Sequence, residues 1–500
     1  MAHQKSFKSN LAWLNDEKAR LSRKQHHEAE VVIVGAGILG SALAYALGSQ
    51  GRSVILLEKS LKQPDRIVGE LLQPGGVQAL DKLGLGECLD DIDAIEVLGY
   101  DVIYYGQEVK IPYLKPSGNG EDAVPVEEAE QRGVKRRRTD EGRSFHHGRF
   151  VQKLRQKAIS QPNVSVVEAT ATDLVRSGYT GQVLGVQATV AGEPDSFFGG
   201  LTVIADGYAS KFRKETRIDA PIVRSKFWGL ELIDADMPLA KHGNVILSDN
   251  APVLLYQIGT RETRALVDIP DNTPSASVKA GGVKNHLRNV VLPSLPANVQ
   301  PSFSAAIEKD RLRSMPNSFL PPTTNTTAGL ILLGDALNMR HPLTGGGMTV
   351  ALNDVVLLTT LLAPTRIAML DEPKPVLQAM QTFHWRRKNL TSVINILAQA
   401  LYALFAANDP QLKALQAGCF RYFQLGGNCI DGPVGLLAGI IRRPIVLFYH
   451  FFAVALYSIW IYVVEGGSRV AMPLRAMMSV GVFWKACVVI FPYIFSELRS

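Results

Sequence analysis

Several familiar kinds of chemistry have no residues to run on in this sequence. Neither the GxSxG nucleophile elbow nor the HExxH zinc helix occurs in its 500 residues. The four cysteines, Cys88, Cys419, Cys429 and Cys487, show no CxxC spacing and no local partnership with histidines. Neither a disulfide framework nor a zinc site is therefore supported, and a reducing or cytosol-facing environment is expected. His146 and His147 are adjacent, so in a strand they would face opposite sides, and no metal is expected there. Excess charge is scarce too: the formal net charge is +7, and much of the local positive charge is the run Lys135, Arg136, Arg137, Arg138 inside a polar segment. A solvated loop accounts for that run, and no nucleic-acid partner is expected. The first thirty residues hold no apolar stretch of the signal-peptide kind, so membrane attachment is expected from elsewhere in the chain.

What is present starts with EAEVVIVGAGILGSALAYALGSQGRSVILLEKS, which reads as strand, tight turn, helix and second strand. Gly35, Gly37 and Gly40 give GxGxxG where the strand becomes a helix. The first permits the turn, the second removes the Cβ that would block a pyrophosphate, and the third allows close helix–strand packing. The diphosphate would lie on the free N–H groups of the helix N-terminus. Glu58 ends the second strand, where a carboxylate accepts hydrogen bonds from an adenosine ribose and repels a 2′-phosphate. At this point NAD and FAD both remain open.

Two later segments favour FAD. LTVIADGYASKFRKE (201–215) is an apolar strand ending in Asp206 and Gly207, and GLILLGDALNMRHPLTGGGMTV delivers Asp335 at a strand end before Gly345, Gly346 and Gly347 open another helix. Ligands of parallel sheets gather at the carboxyl ends of strands, where a second aspartate can bind ribityl hydroxyls and helix-terminal N–H groups can meet the flavin's electron-rich edge. The alternative is a helix cap at Asp335 and a flexible turn at the glycines.

Read together, these segments resemble the flavoprotein monooxygenases related to para-hydroxybenzoate hydroxylase, and within them the squalene monooxygenase (squalene epoxidase) family. The likeness runs from about residue 30 to the end. It is carried by DRIVGELLQPGGVQAL (65–80), SFHHGRFVQKLR (144–155), LRSMPNSFLPP (312–322), GDALNMRHPLTGGGMTVALND (334–354), NILAQALYALFA and FRYFQLGGNCIDGPVGLL. The resemblance implies FAD contacts from Glu58, Lys59, Arg66, Leu71, Arg149, Asp335 and Met348. It also implies an active-site tyrosine with a positioning role at Tyr100, which without it reads as a core aromatic in a strand. Met315, Phe319, Leu320 and Pro342 become walls of a substrate channel, where core packing is the other reading of the first three.

The implied reaction is FAD-dependent epoxidation of squalene to (S)-2,3-epoxysqualene with O2, in sterol biosynthesis, on NADPH electrons delivered by NADPH-cytochrome P450 reductase. The alternatives are a paralogous flavin monooxygenase acting on another terpenoid or polyketide, a reductase of geranylgeranyl-reductase type, and a non-catalytic membrane-associated flavoprotein. The expected fold is α/β, or α+β over the whole chain. A polar leader (1–29) precedes a discontinuous Rossmann-like FAD-binding domain (30–100, 144–215 and 327–380). A sheet-bearing substrate domain (101–143 and 216–326) carries a polar insertion near 116–143, and a helical membrane-binding region occupies 381–500. Within the substrate domain PVLLYQI and TRALVDI should pair as a hairpin, and a helix is expected over GGVKNHLRNVVLPSLP. Residues 445–464 carry no formal charge and are long enough to span about 30 Å of hydrocarbon. The resemblance instead implies a monotopic attachment to the endoplasmic reticulum membrane, facing the cytosol, and also to lipid droplets.

Overall fold

The computed structural model describes residues 27–113, 141–309, 311–465, 470 and 472–498. The leader up to residue 26 and most of the polar insertion near 116–143, with its basic run, lie outside the described residues.

The apolar run VVIV is buried on both faces, Val31, Val32 and Ile33 having no exposed surface, as a strand inside a parallel sheet requires. That sheet has seven strands, in the spatial order Val164–Glu168, Val54–Glu58, Glu28–Val34, Glu193–Ile204, Val183–Val190 and Thr170–Arg176, with Leu330–Leu332 also pairing to Glu193–Ile204. The pairings around Glu28–Val34 and the pairing to Leu330–Leu332 are parallel, whereas Val183–Val190 is antiparallel to both its neighbours. Helices α1 (Ile38–Ser49), α2 (Pro74–Lys82), α3 (His147–Ile159) and α4 (Gly346–Leu361) belong to this part of the molecule. His147 is the first residue of α3 and His146 its cap, so the strand geometry expected for the two histidines is not found.

A second seven-stranded sheet runs Arg313–Phe319, Ile222–Ile233, Glu262–Pro270, Val253–Gln257, Gly243–Leu247, Gly99–Tyr104 and Gln107–Pro112. The expected hairpin is there, Tyr256 standing opposite Arg264. Strand Gly99–Tyr104 places Tyr100 in this sheet, slightly ahead of the boundary read at 100. Period-2 alternation decides what each face meets. Ala265, Val267 and Ile269 pack on Leu287, Val299 and Phe303, while Leu266 and Phe227 join a core with the C-terminal helices. The helix expected over 281–296 is broken into an α-helix at Gly282–His286, a π turn at Leu287–Val291 and a 3-10 turn at Leu292–Ser294. Pro293 supplies the reason: it has no N–H to donate, so the regular ladder cannot continue through it.

Five helices follow: α5 (Pro373–Phe405), α6 (Pro410–Gln424), α7 (Asn428–Leu437), α8 (Pro444–Val464) and α9 (Met472–Leu498). The boundary read at 380 falls inside α5, which is continuous. Both α8 and α9 are long and apolar enough to cross a membrane, yet only 28% and 22% of their apolar windows is buried. Protein covers one side of them; an apolar surface is left over for lipid.

Candidate functional site

The turn between the first strand and α1 uses its glycines in three ways. Gly35 has φ +104°, and a Cβ there would lie 2.5 Å from the Ala205 carbonyl oxygen; one on Gly40 would lie 1.9 Å from the Gly35 oxygen. Those two positions close the turn against protein. A Cβ on Gly37 would meet nothing within 4 Å. The space it would occupy is open and sits at the N-terminus of α1, which suits the close approach of a phosphate.

Glu58 faces this turn. Its Oε2 accepts the Ala36 N–H at 2.7 Å and lies 3.5 Å from Arg155 Nη2, while Arg155 Nε donates to the Ala36 carbonyl at 2.8 Å. Asp206 stands beside the loop with Oδ1 buried and unpartnered, and burial raises its carboxyl above the ordinary range. Asp335 caps no helix through its side chain. Its carboxylate lies 3.6 Å from Arg66 Nη2, and its backbone oxygen is held by Arg213 at 3.0 Å.

Between the two large sheets lies a cavity of about 220 Å3. Of the residues singled out from sequence, Gly37, Arg66, Leu71, Tyr100, Met315, Asp335, Pro342, Gly345 and Met348 line it. Gly35, Gly40, Glu58 and Asp206 support or flank the turn. Lys59 is exposed. Arg149 points toward Asp93 at 3.8 Å and the Ile92 carbonyl at 3.3 Å, away from the lining. Leu320 is fully buried behind the wall, bridged to Met339, and Phe319 packs edge-on against Tyr493 of α9 with ring centroids 5.2 Å apart.

The three consecutive glycines likewise divide. Gly345 adopts φ +61° at the cap of α4, close to Leu71 and Gln73; a Cβ on Gly346 would lie 2.4 Å from Ile394 of α5; and a Cβ on Gly347, which lines the cavity, would have only Arg340 Nη1 nearby, at 3.7 Å. Gly346 is thus a helix-packing position, with α5 on the side a Cβ would occupy, and it is absent from the cavity lining.

Tyr100 is held by a residue that sequence reasoning left without a number. Gln73, fully buried, donates through Nε2 to the Tyr100 hydroxyl and to the Thr344 carbonyl at 2.7 Å, and its Oε1 accepts from Tyr113 at 2.6 Å. Burial raises the Tyr100 phenol, which stays neutral and positions its neighbours. Another missed feature is the bidentate pair of Arg264 with Glu70, at 2.8 and 2.9 Å, both buried in the wall. Burial works against the Arg264 charge, but the Glu70 hydrogen bonds outweigh it and keep the guanidinium protonated. His147 donates from Nδ1 to the Gly69 carbonyl at 2.8 Å, and burial, with Arg66 nearby, lowers its imidazole to about 4.

A second hollow of about 70 Å3 shares Tyr100, Val245 and Leu343 with the first and continues between Leu397, Phe423 and Leu437 of α5, α6 and α7. Together the two give a polar, glycine-lined end near the dinucleotide turn and an apolar end among the C-terminal helices. Among the described residues, no three His, Cys, Asp or Glu side chains cluster closely enough to hold a metal ion.

Comparison with known proteins places this arrangement. A family model described as squalene epoxidase matches residues 198–477, and one for an NAD(P)-binding Rossmann-like domain matches 33–62. The chain is 61% identical to a squalene epoxidase of Aspergillus fumigatus over 96% of each chain. It is 42% identical to the squalene monooxygenase of Mus musculus over 94% of this chain and 78% of that one. Among solved structures, the flavin-dependent brominase Bmp2 superposes with a TM-score of 0.65 at 16% identity, over 86% of this chain and 99% of that one, which is a likeness of fold.

Proposed function

This chain belongs to the squalene epoxidase family, and from that premise we propose that it inserts one atom of O2 across the terminal 2,3-double bond of squalene to give (S)-2,3-epoxysqualene. In balance, the alkene, O2, two electrons and two protons give the epoxide and water. The observation that carries the reading is that Tyr100, Val245 and Leu343 line both the cavity beside the dinucleotide turn and the apolar hollow among the C-terminal helices.

FAD fits the polar end. The space at Gly37 admits the pyrophosphate, the Glu58 carboxylate stands where a ribose would be, Asp335 faces the ribityl position, and Gly345, Gly347 and Met348 offer the first turn of α4 to the ring. When bound, the flavin supplies the two-electron chemistry and the activation of oxygen. The residues of the chain do the rest. Gln73 fixes the Tyr100 hydroxyl, and Tyr100 in turn shapes the passage between the hollows. The apolar side chains of α5, α6 and α7 exclude water and hold an alkene that has no polar handle, so orientation rests on shape. No side chain of the cavity is placed as a nucleophile.

The two helices α8 and α9 attach the chain to a membrane, and squalene enters from lipid. Delivery through water would incur roughly 25 cal/mol for each Å2 of apolar surface exposed. The membrane is that of the endoplasmic reticulum, on its cytosolic face, with lipid droplets as a second location. NADPH electrons arrive through NADPH-cytochrome P450 reductase. The test incubates the purified chain with that reductase, NADPH and squalene under labelled O2: one labelled oxygen in a monoepoxide is expected, and its absence at full FAD occupancy rejects the reading.

A further inference from the structure

One guanidinium in the cavity wall is built in with a free arm. Arg340 is only 8% exposed. Its Nε donates to Asn395 Oδ1 at 2.6 Å, and its Nη2 donates to Asn338 Oδ1 at 2.6 Å and to the Asn338 carbonyl at 3.2 Å. Nη1 makes no hydrogen bond among the described residues. It stands 3.7 Å from where a Gly347 Cβ would be, in a residue that lines the cavity. The first turn of α4 brings its own unpaired N–H groups to the same place. Two positive features therefore converge on one end of the cavity.

The same guanidinium is tied to the far end of the chain. Asn395, on α5, accepts from Arg340 with its oxygen and donates with its Nδ2 to Glu497 Oε1 at 2.7 Å. Glu497 is 4% exposed, lies in the last turn of α9 and keeps Oε2 buried without a partner. Lys388 donates to its backbone oxygen. The neighbouring Arg387 is already engaged, held by Asp354 at 2.6 and 2.9 Å. One amide thus stands between a guanidinium that faces the cavity and a carboxyl carried by α9, whose charge is opposed by burial and favoured by Arg387, Lys388 and Arg340, burial being the larger effect.

We propose that Arg340 and the N-terminus of α4 form the positive site for the charge a flavin gains on reduction, and that Glu497 moderates that site through Asn395. Two-electron reduction with uptake of one proton leaves one extra negative charge, and the preformed positive groups favour that form without rearranging. Arg340 and Glu497 act as positioning and field-setting residues, and α9 has a second task besides attachment. The inference rests on the reading of the cavity as the flavin site, and it is tested independently of epoxide formation.

The experiment measures the midpoint potential of the FAD-loaded, detergent-solubilised full chain by dye-equilibrated spectrophotometry, in the parent and in Arg340→Gln, Arg340→Lys and Glu497→Gln. Arg340→Gln should weaken binding of reduced relative to oxidised FAD about tenfold, a fall of about 30 mV. Arg340→Lys should keep most of the parental value, and Glu497→Gln should move in the opposite direction to Arg340→Gln. A Glu497→Gln potential equal to the parent overturns the coupling, and equal values for the Gln and Lys variants at 340 overturn the charge assignment. If Arg340→Gln purifies without FAD, the Lys variant decides. A parental potential there supports the charge, and loss of FAD there too makes the guanidinium a structural strut and overturns the proposal. A parent that binds FAD and shows these shifts but forms no labelled epoxide sinks the proposed function alone.

Discussion

At the scale of single residues, glycines that look alike in sequence have opposite reasons for being glycine. A side chain at Gly37 meets only open space, whereas one at Gly346 collides with Ile394. Gly37→Val should therefore leave the melting temperature of FAD-free protein within about 1 °C of the parent while weakening FAD binding at least tenfold. Gly346→Ala should lower stability by about 1–3 kcal/mol, the cost of overpacking a fitted core, with a smaller effect on FAD affinity. Calorimetry of the apoprotein and flavin titration separate the two; equal effects in both assays would contradict the geometry. Asp335→Ala should raise the FAD dissociation constant, read by fluorescence recovery of released flavin, and unchanged affinity would remove Asp335 from the site.

Titration belongs to this scale too. Burial lowers His147 to about 4 and His341 to about 3, from an ordinary 6.5, and raises Asp268 to about 6 from 3.8. Between pH 6.5 and 4 the unfolded chain binds more protons at both histidines, so their contribution to stability is lost as pH falls. At Asp268 the folded chain binds more protons between 3.8 and 6, so its contribution grows as pH falls and offsets part of that loss. Asp268→Asn should therefore steepen the fall in melting temperature from pH 6.5 to 4.5. An unchanged slope would show that Asp268 is not the opposing group. The GxGxxG turn was legible because its physics is local. The partners of Gln73, Arg264 and Asp268 were not, because Thr344, Glu70 and Asn317 stand 271, 194 and 49 residues away.

Among elements, α4 and α5 are joined by Asp354 and Arg387, each at most 3% exposed and paired at 2.6 and 2.9 Å. Removing one member leaves a buried charge unanswered, which costs on the order of 3–5 kcal/mol, while replacing both with apolar residues of similar size costs much less. Asp354→Leu should thus unfold at lower denaturant than the double variant Asp354→Leu/Arg387→Met, and the reverse order would mean the pair is not what locks the two helices. Strands with clean alternation, such as the hairpin at Val253–Gln257 and Glu262–Pro270, were readable from pattern. The broken segment after Gly282 was not, since its apolar spacing continued past Pro293 and only the backbone chemistry of proline interrupts it. The end of α5 was likewise hidden, because nothing in composition marks residue 380 as interior to one helix.

For the whole molecule, the decisive surface is that of α8 and α9, where Trp460 is 53% and Trp484 is 70% exposed. In vesicles containing brominated lipid, single-tryptophan versions of the chain retaining either residue should be strongly quenched. A version retaining Trp228, partly buried in the second sheet, should keep its emission. Equal quenching of all three would argue against lipid contact through these helices. Hydropathy announced this region but not which faces protein would cover, because that depends on α5 and α6 packing from elsewhere in the chain.

The hollow that shares Tyr100, Val245 and Leu343 with the main cavity lies among α5, α6 and α7, the helices on which α8 and α9 pack, so a route from lipid through this layer would spare an oily reactant and its oxidised product from dissolving in water. Turnover should then follow the mole fraction of squalene in the bilayer: diluting the vesicles with more phospholipid slows the enzyme even when the amount of squalene per millilitre is held constant.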